Sequence, residues 1–234
     1  MEARFMLKIL EPQKEYVNKF INESYEGWLK KPGKTLDIND DELLMYFITN
    51  HAYGDTYIWL QKKLVESAKY NSEERRKVYN ELIQNIRFWL NSNDEDYDSW
   101  HKATCEQFVS DFNSRVGCGQ YEPIQFGKGQ KMVNMMMKYL SSCDNAEEFA
   151  PRFLKCHMPL DSRILDSFYY VYVKKGIPNS EHKKWTRLSY EEYKEITDDI
   201  RNYYNSFGKS PFVEEWEIWD RISNGIDPVS GDIK

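Results

Sequence analysis

Apolar side chains recur along this chain at spacings of three and four, a period that leaves little room for anything but helices. Leu43, Leu44 and Phe47 form one such stripe, opened by Asp40 and Asp41, whose carboxylates suit the positive end of a helix dipole. Val78, Leu82, Ile86, Trp89 and Leu90 form another, with Asn71, Ser72 and Glu73 as its cap. Val17, Phe20, Ile21, Trp28 and Leu29 give an earlier stripe, and Tyr57, Leu60, Leu64 and Val65 a further one. Beyond an acidic connection at 91–100, Phe108 and Phe112 turn inward from the next helix. Helices are expected from Gln130 to Leu140, from Asn145 to Lys155, and from an Asp161 cap through Ile164, Leu165, Phe168 and Tyr169. The end of this last one is unsettled by the β-rich run Tyr170-Val171-Tyr172-Val173. Ser189 and Glu192 make a capping box for a helix reaching about Tyr204, and Pro211 opens a final helix bearing Trp216 and Trp219. Loops are expected at 115–129, the most glycine-rich stretch, and at 176–184.

The expected fold is therefore all-α, one domain over residues 1–234 with a lobe division near 91–100. Seven Trp, 17 Tyr and 12 Phe supply enough buriable surface to exclude a disordered chain, and 11 Gly with 8 Pro are too few for a turn-dense β architecture. No stretch approaches the roughly 18 to 20 apolar residues of a membrane span, and the first residues lack a secretory pattern. No membrane partner and a cytoplasmic location are expected. Cys105, Cys118, Cys143 and Cys156 contain no CxxC pair, so reduced, mostly buried thiols are expected rather than a metal knuckle. His51, His101 and His182 are also too scattered for a metal site, and neither metal nor cofactor is expected. A net charge of −6 excludes a broadly cationic nucleic-acid coat, but residues 126–140 carry Lys128, Lys131 and Lys138 without a single acid.

Chemistry concentrates in two blocks of the 115–170 region. The first is Phe126-Gly127-Lys128-Gly129-Gln130-Lys131-Met132-Val133-Asn134, and the second runs from His157 through Pro159-Leu160-Asp161-Ser162-Arg163-Ile164. A G-x-G turn entering a helix lets backbone amides approach a phosphate. A lysine and a carboxylate, each at the start of a helix, are placed to meet across a cleft.

These blocks resemble the helix–hairpin–helix DNA glycosylases with a Gly/Pro-rich hairpin and a catalytic aspartate. Gly127, Gly129, Lys131 and Asn134 match the hairpin block, although Phe126 stands where a Pro is usual, and Leu160 to Ile164 match the aspartate block. The 30-residue offset between Lys131 and Asp161 is closest to the archaeal 8-oxoguanine glycosylase branch. The resemblance implies double-stranded DNA as partner and a bifunctional glycosylase and lyase. Lys131 would be the Schiff-base nucleophile and Asp161 its electrostatic and acid–base partner. It implies DNA contacts at Gly127, Lys128, Gly129 and Asn134, with His157 and Arg163 as candidates for the base pocket. The competing expectation is a non-catalytic helical protein that binds DNA or a protein partner. In that case Lys131, Asn134 and Lys138 are a solvated helix face, Asp161 is an ordinary N-cap, and the methionines at 132 and 135–137 are core filler.

Overall fold

The computed structural model describes residues 19, 25–31, 33–52, 72–93, 96–116, 123–177 and 182–233. The expected helix around Tyr57 to Val65, the positions Val17, Phe20 and Ile21, and Cys118 lie outside the described residues.

Among the described residues the chain is mostly helical, with a single isolated bridge between Ile226 and Ile233 and no strands. Helix α1 spans Asp41–Phe47 and is capped by Asp40, whose side chain accepts from the amides of Glu42 and Leu43. Helix α2 spans Ser72–Asn91 and α3 spans Tyr97–Asp111. Asp96, part of the acidic connection, caps α3 through the Ser99 amide. Trp89 on α2 meets Tyr97 and Trp100 on α3, each at 5.2 Å, so aromatic packing bridges the expected lobe boundary.

Helix α4, Phe126–Leu140, lies at the centre. From Gly129 onward every residue of it is buried, the polar ones included. The methionines at 132, 135, 136 and 137 fill core, while Gln130, Lys131, Asn134 and Lys138 form no solvated stripe. After α4 the expected helix over 145–155 is broken into a short 3₁₀ turn, Ala146–Phe149, and the four-residue α5, Ala150–Phe153. Pro151 explains the break, because it fits a first helical turn but cannot sit inside a helix.

Residues 156–160 carry no regular structure and lead to α6, Ser162–Ile164, capped by Asp161. That helix widens into a π-helical run at Leu165–Val173, where burial of Phe168, Tyr169 and Tyr170 overrides the local β preference. Helix α7, Tyr190–Asn205, begins with the expected capping box at Ser189 and Glu192, and α8, Pro211–Ser223, completes the set. No helix is long and apolar enough to cross a membrane among the described residues. Cys105, Cys143 and Cys156 are buried free thiols.

The glycine-rich loop also ends earlier than the sequence suggests. Gly127, Lys128 and Gly129 are the first turn of α4 rather than a hairpin. Packing requires both glycines. A Cβ on Gly127 would stand 1.8 Å from the Trp185 carbonyl oxygen, and one on Gly129 would stand 2.8 Å from Val109. Backbone meets backbone at Gly127, so no rotamer change relieves the clash. Gly127→Ala is expected to cost about 3 kcal/mol, the upper range for overpacking, read from urea denaturation. A cost below about 0.5 kcal/mol would show that the 185–188 segment yields freely.

Candidate active site

Lys131 Nζ lies 2.8 Å from Asp161 Oδ2. Their side chains are 6 % and 16 % exposed, so the pair is almost enclosed and meets solvent mainly on the Asp161 side. Asp161 divides its carboxylate between two tasks. Oδ1 accepts from the Ile164 amide at 3.0 Å, which caps α6, and Oδ2 faces the lysine. Burial pushes the Asp161 carboxyl up, but Lys131, the Ile164 amide and the more distant charge of Lys138 outweigh it and hold the group below its usual range.

The same face of α4 carries a second buried pair. Lys138 Nζ is 2.6 Å from Glu215 Oε2, with side chains 4 % and 1 % exposed. Trp216 and Trp219 place ring faces 4.5 Å and 5.3 Å from that ammonium. Beyond that ammonium, neither carboxylate oxygen of Glu215 has a hydrogen-bond partner among the described residues. Such buried acceptor capacity left unused is uncommon in a folded protein. The sequence reading missed Glu215, although a signal existed. Phe212, Glu215, Trp216 and Trp219 fall at i, i+3, i+4 and i+7, so a carboxylate sits on the apolar stripe of α8.

The other residues implied by the resemblance are placed differently. The Gly127 amide donates to the Leu188 carbonyl at 3.0 Å and the Gly129 amide to Gln125 at 3.3 Å, so both already have acceptors and neither is open to a phosphate. Asn134 is 0 % exposed and cannot touch DNA, whereas Lys128 is half-buried. Arg163 is exposed, lies over the Trp219 ring at 5.6 Å and donates to Ser223. It shares the Trp219 ring with Lys138.

His157 has other partners. It is 4 % exposed, with Nδ1 2.8 Å from the Tyr193 hydroxyl and Nε2 2.8 Å from Asp98, which Arg201 grips with both terminal nitrogens. This cluster borders a cavity of about 900 Å³ between α7, α8 and the 154–160 segment, and neither Lys131 nor Asp161 lines it. The geometry thus joins Lys131 with Asp161, while His157 is held by Tyr193 and Asp98. No group of three His, Cys, Asp or Glu converges as metal ligands among the described residues.

The histidines make stability pH-dependent. Burial pushes both His101 and His157 below the ordinary histidine value, against the opposing pull of Asp98, and the proximity of the two rings adds to the effect at His101. The unfolded chain takes up these protons at about pH 6.5, while the folded chain does so only at lower pH. Stability is therefore fully present above about pH 7 and lost as pH falls, by up to about 1.4 kcal/mol per pH unit for each histidine. A further loss is expected below about pH 4, where Asp98 and Asp161, both held below the usual carboxylate range, stay ionised only when folded. Urea midpoints compared at pH 7.5 and 5.5 test the first phase, and equal midpoints would refute it.

No protein-family model, curated protein or solved structure matches the chain.

Proposed function

We propose that the protein is a DNA base-excising enzyme, a glycosylase with lyase activity, in which Lys131 is the nucleophile. The observation that carries this reading is the 2.8 Å contact between Lys131 and Asp161, two residues 30 positions apart that burial brings together in a nearly enclosed setting. In the proposed reaction the Lys131 ammonium gives a proton to the leaving base, and the amine so freed attacks C1′ of the flipped nucleotide. The base departs with the bonding electron pair and that proton. The sugar ring then opens to a protonated Schiff base, and removal of a C2′ proton expels the 3′ phosphate by β-elimination.

The depressed Asp161 carboxyl bears on its own role. A group held ionised is poorly suited to storing a proton but well suited to stabilising positive charge at C1′ and on the iminium. Trp219, half-buried on that side of α4, offers a base a ring face, and Arg163, exposed over the same ring, offers a donor. These two take the place of His157 as the pocket residues of this reading.

The second reading is a non-catalytic helical protein in which Lys131–Asp161 is a structural ion pair. One observation favours it: the amides of Gly127 and Gly129 are engaged within the protein instead of being open to a phosphate. Borohydride reduction in the presence of abasic duplex DNA decides between the readings. A Lys131-dependent covalent adduct is expected, and its absence from the wild-type protein selects the second.

A further inference from the structure

Gln130 and Leu160 stand one residue ahead of Lys131 and Asp161, and they are bonded to each other twice. Gln130 Nε2 donates to the Leu160 carbonyl at 2.9 Å, and the Leu160 amide donates to Gln130 Oε1 at 3.3 Å. The side-chain amide offers this irregular segment the donor–acceptor pair that an adjacent strand would offer. It matters here because residues 156–160 lie outside helix and strand, so no regular ladder fixes the approach to Asp161.

A main-chain N–H only donates and a carbonyl only accepts, so Leu160 fixes the orientation of the Gln130 amide. That in turn fixes Asn134. Its Nδ2 donates to Gln130 Oε1 and to the Tyr193 hydroxyl, each at 3.0 Å, and its Oδ1 is left to accept from His101 Nε2 at 2.9 Å. Gln130 and Asn134 are both 0 % exposed, so water does not compete for these bonds.

We propose that Gln130, braced by Asn134, is the positioning residue that holds Asp161 against Lys131 through the main chain of Leu160. Its functional meaning rests on the reading of Lys131 and Asp161 given above. Its structural content is measurable without DNA.

The test is a double-mutant cycle on the full chain, with Lys131→Met and Asp161→Asn compared in the wild-type, Gln130→Met and Gln130→Glu backgrounds by urea unfolding. In the wild-type background the pair is expected to be coupled by about tenfold in the unfolding constant. Gln130→Met keeps the shape and removes both bonds, and the coupling is expected to fall to about twofold. Gln130→Glu, kept neutral by burial near pH 6, restores a donor and an acceptor and should bring the coupling back to within about twofold of wild type. Unchanged coupling in Gln130→Met overturns the proposal, as does a folded Gln130→Glu that fails to restore it.

If Gln130→Met does not fold, Gln130→Asn carries the test. It retains the amide but falls one methylene short, so undiminished coupling there is equally fatal. On DNA, the rate of adduct formation should fall about tenfold in Gln130→Asn with KM unchanged. Coupling that depends on Gln130 in a protein that forms no adduct would refute the glycosylase reading and leave the positioning role standing.

Discussion

Abasic duplex DNA incubated with the wild-type protein and reduced with borohydride is expected to give a covalent adduct that Lys131→Ala abolishes. The amine is the atom that would form the bond, so no residual adduct at another lysine should survive the substitution. Asp161→Asn is expected to slow adduct formation by about 10²- to 10³-fold, the scale seen when one electrostatic partner of a transition state is removed. This substitution separates chemistry from folding. Asn is as good an N-cap as Asp, so the bond to the Ile164 amide survives while the charge facing Lys131 is lost. An Asp161→Asn protein that traps at the wild-type rate would remove Asp161 from the mechanism. An adduct persisting in Lys131→Ala would overturn Lys131 as the nucleophile.

Lys138→Met is expected to destabilise the fold by about 3 to 5 kcal/mol, because it strands the Glu215 carboxylate at 1 % exposure with no cation beside it. Much of that loss is desolvation of an unpaired charge rather than the worth of the pair. The double substitution Lys138→Met with Glu215→Met should therefore recover most of the loss, or even exceed wild-type stability. Urea denaturation of the three proteins measures this directly. If the double variant is no more stable than Lys138→Met, the cost lies in packing against Trp216 and Trp219 and not in the buried charge.

Much of the helical framework was legible from local signals. The Asp40 cap, the Ser189–Glu192 box and Pro211 at a helix start act within one turn, so the residues that cause each feature are neighbours in sequence. The methionines of α4 were also readable as core. The departures have two causes. Pro151 breaks the helix expected over 145–155, a local effect that apolar periodicity alone does not register. At 127–129, glycines that suggested a phosphate-binding turn are required instead by the close approach of Trp185 and Val109, about 58 residues later and 20 earlier in the chain.

The sequence by itself determined the period of the helices, most of their starts and the pair of residue types at 131 and 161. Only the tertiary structure decided what the polar face of α4 meets. A lysine, an asparagine and a second lysine at spacings of three, four and seven make the same pattern whether water or protein covers them. Here the 156–160 segment, α7 and α8 cover that face, and each buried group is matched by a partner remote in sequence: Asp161 for Lys131, Glu215 for Lys138, and His101 and Tyr193 for Asn134. Burial of a charge is tolerable only with such a partner, and partner choice is a property of packed elements rather than of any one helix.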